Sequence, residues 1–130
     1  MHLTAAFRAY VLAACALAIS SGCASVAHSP VQLQTMTASK SAIVRTFAKQ
    51  LDIELDTGYG RTIAAGSQWQ QVGLIEQGAV YQPHLNVFTL EGAHIHEAYL
   101  VVDNDKLVGF YLPAERGFSS LKRQLPINFK

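Results

Sequence analysis

Residues 94–112 read HIHEAYLVVDNDKLVGFYL, and this stretch decides which fold the sequence predicts. Two apolar runs flank Asn104-Asp105, and a polar pair between two such runs is typical of a two-residue β-hairpin loop. A loop of that length fixes the register, because the residues on either side of it, Asp103 and Lys106, must then pair. The stretch therefore predicts two antiparallel strands.

Both faces of the predicted hairpin carry apolar side chains. On one face the register places Tyr99 opposite Phe110 and Val101 opposite Val108. Large bare apolar patches seldom persist on a monomer, so something must cover this face. Two covers remain open: residues 52–65 with the C-terminal tail, or a protein partner, which includes a second copy of the chain.

The rest of the chain predicts one helix and several more strands. Residues 40–51 carry apolar side chains at helical spacing, with Ser39 as the N-cap. Apolar runs bounded by turn residues predict strands at 69–76, 79–82, 85–90, 94–102 and 107–112. Because the connections are short, we expect an antiparallel meander. The predicted class is α+β, with one N-terminal helix packed on an antiparallel sheet of four to five strands.

The N-terminus has the layout of a secretion signal. Arg8 and the terminal amine give a positive start, and residues 9–19 form an uncharged apolar run too short to span a bilayer. Residues 20–23 then read SSGC, with small residues leading into a cysteine. This segment resembles the lipobox of bacterial lipoproteins, with Ser20 standing where leucine is usual.

The resemblance implies cleavage between Gly22 and Cys23, which makes Cys23 the acylated first residue of the mature protein. Ala24 and Ser25 follow the cysteine, where an aspartate commonly marks inner-membrane lipoproteins. In a Gram-negative bacterium this favours the outer membrane, with the protein facing the periplasm. The alternative is an ordinary signal peptide that leaves the cysteine unmodified.

Composition after residue 22 narrows the classes of function. That part of the chain has nine basic and nine acidic residues, so no basic surface indicates nucleic acid. Cys15 leaves with the signal, so Cys23 is the one cysteine left and no disulfide can form within the mature chain. Residues 23–39 carry no charge and predict a flexible tether, followed by a single domain at 40–130.

His94 and His96 form the most suggestive cluster for chemistry. Alternate residues of a strand point to the same side, so both imidazoles can face one ion. His84 is a candidate third ligand and Glu91 another, and zinc or copper suits imidazole donors. The alternative is a pair of partly buried histidines bonded to the backbone or to a carboxylate.

Catalytic motifs are not found in the sequence. There is no Gly-x-Ser-x-Gly elbow and no phosphate-binding loop, and no pattern singles out Glu97 or Glu115 as an acid or base. The predicted function is therefore a non-enzymatic, membrane-anchored lipoprotein that acts as a binding or accessory component of the bacterial envelope. Its expected partners are the bilayer, through the lipid on Cys23, and an envelope protein or a second copy. The alternative is a zinc- or copper-binding lipoprotein using His94 and His96.

Overall fold

The computed structural model describes residues 25–36 and 43–130. These residues form twelve β-strands and no helix. In chain order the strands are β1 (Ser29–Pro30), β2 (Gln34–Thr35), β3 (Val44–Thr46), β4 (Leu51–Glu54), β5 (Gly60–Ile63), β6 (Gln68–Ile75), β7 (Gly78–Pro83), β8 (Thr89–Glu91), β9 (Ile95–Glu97), β10 (Tyr99–Asp103), β11 (Lys106–Leu112) and β12 (Gly117–Pro126).

The main sheet has the order β1-β12-β11-β10-β7-β6-β2, and β3 also pairs with β6. All of its pairings are antiparallel, and two separate hairpins, β4–β5 and β8–β9, lie outside it. The turn between β10 and β11 places Asn104 and Asp105 at φ of 49° and 59°. Both values are in the left-handed region that a type I′ hairpin turn requires, as the Asn-Asp sequence predicts.

An N-terminal strap, residues 25–36, forces the main sheet to curl. Its two strands pair with opposite edges of the sheet, β1 with β12 and β2 with β6. Six strand spacings of about 4.8 Å would separate β1 from β2 by about 29 Å in a flat sheet. The four residue steps from Pro30 to Gln34 reach at most about 14 Å. The two edges must therefore approach each other, and the sheet becomes a half-barrel crossed by the strap.

The apolar side chains form two clusters on opposite sides of this sheet. The smaller cluster lies inside the curl, where Val31 and Leu33 of the strap pack against it. Its buried members are Ile75, Val80, Val101, Val108, Tyr111 and Phe118. The larger cluster lies on the outer side and includes side chains of both separate hairpins. Its fully buried members include Phe47, Ile63, Leu90, Leu100, Leu107, Phe110 and Leu112.

The α+β prediction is wrong, because no residue described between 43 and 51 is helical. Residues 44–46 form β3 instead, and β4 begins at Leu51. Phe47 decides this outcome: it is 1% exposed, and its ring packs at 5.2 Å from Phe129 and 6.1 Å from Trp69. Its backbone N–H donates to the Ser67 carbonyl at 2.9 Å, so long-range contacts outweigh a helical spacing.

Several predicted strands are confirmed, and others have different limits. Those at 69–76, 79–82 and 107–112 correspond to β6, β7 and β11. The strand predicted at 85–90 is confined to β8, and the one at 94–102 is divided into β9 and β10 at Ala98. The Ala98 N–H donates to the Phe88 carbonyl in register with the β8–β9 pairing, whereas β10, which begins at Tyr99, pairs with β7 and β11 instead. Residues 52–65, for which no strand is predicted, contain most of the β4–β5 hairpin.

The register of the β10–β11 hairpin is confirmed at the turn and wrong beyond it. Asp103 pairs with Lys106 as predicted, but a bulge between Val101 and Val102 shifts the ladder by one residue. Tyr99 then lies opposite Tyr111, while Phe110 lies opposite Leu100 on the other face. A one-residue shift exchanges the faces of a strand, which sequence alone does not reveal.

The predicted tether also differs over the part that the structure describes. Residues 25–36 belong to the folded domain, and Val26 is only 5% exposed. The Val31 N–H donates to the Arg116 carbonyl at 3.1 Å, and the Met36 N–H donates to the Val72 carbonyl at 3.0 Å. The segment that was predicted to be a flexible tether thus forms backbone hydrogen bonds at both edges of the sheet. Within the described ranges, no helix has the length and apolar character needed to cross a membrane.

Candidate functional site

The candidate site is a group of polar side chains at one end of the sheet, around His96. His96 occupies the middle of β9 and pairs with Leu90 of β8, which is completely buried. Residues directly opposite in an antiparallel pair point to the same side, so the imidazole is directed inward with the Leu90 side chain. Only 10% of the His96 side chain is exposed.

Glu115 provides the partner that a buried imidazole needs. Its Oε1 lies 2.6 Å from His96 Nδ1, which is short for such a contact and typical of a charge-assisted hydrogen bond. Glu115 belongs to the turn between β11 and β12, where Arg116 adopts φ of 51°. This left-handed residue reverses the chain just after Glu115. The pair thus joins the β8–β9 hairpin to the β11–β12 turn of the main sheet.

The surroundings of Glu115 favour its ionised form. Burial by itself would raise the pKa of the carboxyl group, but the hydrogen bond from His96 opposes it and the net effect is a lowered pKa. A backbone hydrogen bond and the nearby charges of His96 and His28 act in the same direction. The second oxygen, Oε2, is buried and has no hydrogen-bond partner among the described residues.

The strap brings His28 to the same place. Its ring centroid lies 6.5 Å from that of His96, with the ring planes 57° apart. Its Nδ1 lies 3.2 Å from the Val26 carbonyl oxygen. A Cβ at Gly117 would lie 2.7 Å from His28 Cδ2, so the absence of a side chain at Gly117 makes room for the imidazole.

His94 completes the group from the loop before β9. Its ring centroid is 6.5 Å from that of His96, and the ring planes are 83° apart. His94 and His28 are both exposed residues, whereas His96 is largely covered. The site therefore has one largely covered imidazole with two more accessible imidazoles near it.

The sequence prediction named part of this group and missed the rest. His94 and His96 come together as expected. His84 follows β7, and no hydrogen bond, ion pair or ring contact among the described residues joins it to the other histidines. Its backbone N–H donates to the Gln68 carbonyl. His28 and Glu115 were not assigned to the site, because only the curl of the sheet and the β11–β12 turn bring them to His96.

The predicted lipidation and cleavage residues, Cys23 and Gly22, lie outside the described residues. The predicted partner face is divided: Tyr99, Val101 and Val108 belong to the smaller cluster, whereas Phe110 belongs to the larger one. Val101 has no exposed surface, because the inner face is covered within this chain by the strap. Residues 52–65 and the C-terminal tail, one of the two covers that the sequence leaves open, pack on the larger cluster instead.

Two open grooves lie away from the histidines. The larger, of about 630 Å³, runs beside the strap at the end of β6. The second, of about 450 Å³, has Asp52, Glu54 and Asp56 on one side and Lys122 and Arg123 on the other. No histidine lines either groove. In the part of the chain that the structure describes, no group of three potential ligands is already arranged to hold a metal ion.

Comparison with known proteins adds no relative: no protein-family model, no curated protein and no solved structure matches this chain.

Proposed function

We propose that this chain is a lipid-anchored protein of the bacterial envelope that acts by binding at the membrane surface. The anchor is the acylated Cys23, and the expected location is the periplasmic side of the outer membrane of a Gram-negative bacterium. The observation that carries the proposal is the position of SSGC at residues 20–23, directly before the strap. Two or three acyl chains on one cysteine give an essentially permanent anchor, whereas one chain does not.

The strap determines how such an anchor would hold the domain. Ala24 and Ser25 are the residues between Cys23 and Val26, whose side chain is buried in the larger cluster. Three residue steps span at most about 11 Å. The folded domain would therefore sit against the bilayer surface, instead of standing off on a tether formed by residues 23–39.

Exposed apolar side chains next to the β8–β9 hairpin support a binding role. Leu85 and Val87 are 87% and 71% exposed before β8, and Ile95 is 70% exposed in β9. Single exposed apolar residues are common, but three within eleven residues are a reasonable place to look for a contact. We expect the partner to be an envelope protein or a second copy of this chain.

The anchor is tested by expressing the full chain with its own signal in a Gram-negative host. Intact-mass analysis should show a chain that begins at Cys23 and carries acyl groups, located in the outer-membrane fraction. Cys23→Ser should abolish the acyl mass and the membrane location. Cys15→Ser is the matched control and should leave both unchanged. A product with a bare thiol on Cys23, or one that begins elsewhere, refutes the anchor.

The binding role is tested by placing a photo-crosslinking amino acid at position 85 or 95 of the membrane-bound chain. A discrete adduct is expected. An adduct of twice the chain mass indicates a second copy, and any other discrete mass indicates a different envelope protein. The same amino acid at the exposed position 62 in β5 is the control for random collision. Equal labelling at positions 62, 85 and 95, or no adduct at any of them, contradicts the proposal.

A further inference from the structure

We propose that the groove between β4 and β12, called here the β4–β12 groove, binds an extended peptide segment of a partner protein. The segment adds as a strand between β4 and β12, and it alternates apolar residues with charged residues of both signs. This surface is separate from the exposed Leu85 and Ile95, and it does not depend on the acylation of Cys23. The proposal therefore succeeds or fails apart from the proposed function.

The first wall of the groove is an unpaired edge of β4. Of the β4–β5 hairpin, only residues of β4 and of the turn that follows it line the groove, and no residue of β5 does. In the part of the chain that the structure describes, β4 pairs with β5 alone. Because β5 occupies one edge of β4, the edge towards the groove has no strand beside it.

The second wall is β12, a strand of ten residues whose outer edge is mostly unpaired. On that edge β1 pairs only with Gly117 and Phe118. On the other edge β11 pairs with residues 117–120 and 125–126, so residues 121–124 form a wide bulge opposite Val108. Within the described ranges these four residues have no paired residue in any strand. An unpaired strand edge is a template for pairing with another chain.

The floor of the groove is apolar. Leu55 is buried, Leu121 and Leu125 are partly buried, and all three pack with the larger cluster. Alternate residues of a bound strand point to the same side, so its apolar residues can lie on these leucines. A strand residue occupies about 160 Å³, from the spacings within and between sheets. The groove, of about 450 Å³, therefore accommodates about three residues.

The two walls carry opposite charges. Asp52, Glu54 and Asp56 are exposed on the β4 side, and Lys122 and Arg123 are exposed on the β12 side. Among the described residues, no ion pair joins the two walls. The outward residues of a bound strand would lie beside both walls, where a basic side chain can reach β4 and an acidic one β12. Cross-strand pairs of opposite charge favour such binding and help to fix its register.

The shape of the groove favours a single inserted segment over a second copy of this chain. Two copies related by a two-fold axis present the same surface to each other. Two concave surfaces would then meet, and neither copy would fill the groove of the other. One extended segment fills the groove and can pair with both unpaired edges.

The test begins with a phage-displayed library of random dodecapeptides, selected against the full chain in mild detergent. Peptides that alternate apolar and charged residues should be enriched. A synthetic copy of one of them should bind with a Kd of about 1–100 μM, measured by fluorescence polarisation. Lys122→Glu should weaken this binding at least about threefold, and lysine in place of the acidic residues of the peptide should restore it. Lys49→Glu is the matched control, because Lys49 is exposed and lies outside the groove; it should leave the Kd unchanged.

Two further measurements show whether the peptide binds as a strand. Successive N–H groups of a strand point to opposite edges, so each of two successive N–H groups in the groove faces β4 or β12. Methylation of either peptide nitrogen should therefore weaken binding about tenfold. At saturating peptide, hydrogen exchange of the amides within residues 121–124 should slow at least about tenfold.

Three outcomes overturn the proposal. The first is a selection that yields no peptide with tighter binding to the wild-type chain than to Lys122→Glu. The second is binding that methylation at neither of two successive positions weakens, since the peptide then does not pair as a strand. The third is self-association of the wild-type chain that Lys122→Glu abolishes, because this result assigns the groove to a second copy.

Discussion

The two apolar clusters of this molecule are covered in different ways. Separate pieces of the chain close the larger cluster: the β4–β5 hairpin, residues near the β8–β9 hairpin, and the C-terminal residues Ile127 and Phe129. The smaller cluster is closed across the curl by one segment, the strap, through the partly buried Val31 and Leu33. Loss of one contact in the larger cluster leaves other covers in place, whereas release of the strap opens the smaller cluster.

The attachment of the strap explains why it is the weaker cover. Two residue pairs join β1 to β12 and two join β2 to β6. The net contribution of a hydrogen bond is about 0.5–1.5 kcal/mol, so attachments this short are expected to open without unfolding of the whole domain. The larger cluster should therefore determine global stability, and the strap should determine local opening.

The largest effect should follow from Phe110→Ala in the larger cluster. Phe110 has no exposed surface, and its ring stacks at 6.0 Å from that of Phe88. Removing a buried aromatic ring costs about 3–5 kcal/mol, and chemical denaturation of the two proteins measures the difference. Val108→Ala in the smaller cluster is the counterpart and should cost about 1.5 kcal/mol. A larger loss for Val108→Ala than for Phe110→Ala would reverse the proposed roles of the clusters.

The second prediction concerns the close approach of the strap to β6. A Cβ at Gly73 would lie against the Gln34 carbonyl oxygen and 3.0 Å from Leu33 Cδ1. Gly73→Ala should therefore push the strap away, at a cost of about 1–3 kcal/mol. Hydrogen exchange should show faster exchange at the Met36 amide, which donates to Val72, with little change in β10 and β11.

Gly60→Ala provides the control for this prediction. Its added Cβ would meet its nearest neighbour, the Ile53 carbonyl oxygen, at an ordinary 3.8 Å. The exchange rates of the strap should remain at their wild-type values. If Gly73→Ala accelerates exchange equally throughout the sheet, the strap opens only with global unfolding and the contrast between the two covers is lost.

Strands whose partners are close in the chain could be predicted from the sequence, whereas pairings with distant segments could not. Strands β6, β7 and β11 are predictable because their neighbours lie close in the chain and turn residues mark their ends. The pairing of β1 with β12 joins Ser29 to Phe118, and no local pattern records such a distant partner. Likewise, the apolar residues at 43–51 fit a helical spacing, and only packing of Phe47 on Trp69 and Phe129 rejects it.

The candidate site follows the same rule. His94 and His96 are two residues apart in the chain, so a strand predicts that they meet. His28 depends on the strap, and Glu115 depends on the left-handed Arg116 in the turn before β12. The residues of the site that are close in the chain could therefore be predicted from the sequence. Those that come from distant segments could be found only in the three-dimensional structure.

The third prediction uses the hydrogen bond between His96 and Glu115, next to His28 of the strap. The pKa of Glu115 is lowered in the folded protein below its ordinary value of 4.5. The resulting stabilisation is present above that value and is lost as the pH falls through the lowered pKa. The free energy of unfolding should thus decrease as the pH falls below about 4.5. Glu115→Gln should reduce the slope, and an unchanged slope would show that other carboxyl groups cause the acid sensitivity.

The smallest effect should be found at Tyr99, which packs at the rim of the smaller cluster with its ring 6.2 Å from that of Tyr111. Burial raises the pKa of its phenol above 10.0, and the charge of Glu97, a hydrogen bond to it and the nearby Tyr111 add to the increase. The unfolded chain loses the phenol proton at a lower pH than the folded protein does. The free energy of unfolding should therefore decrease as the pH rises above 10.0, the ordinary pKa of the phenol.

Two variants separate the causes of this increase when the phenolate is titrated by its ultraviolet absorbance. Glu97→Gln removes the charge and should return the pKa of Tyr99 part of the way to 10.0, leaving the contribution of burial. Gly73→Ala then tests the cover, because release of the strap should lower the same pKa by exposing the rim of the smaller cluster. The contrary result is an unchanged pKa of Tyr99 in Gly73→Ala, together with faster exchange of the strap amides. In that case the strap does not shield Tyr99, and it covers only the residues around Val31 and Leu33.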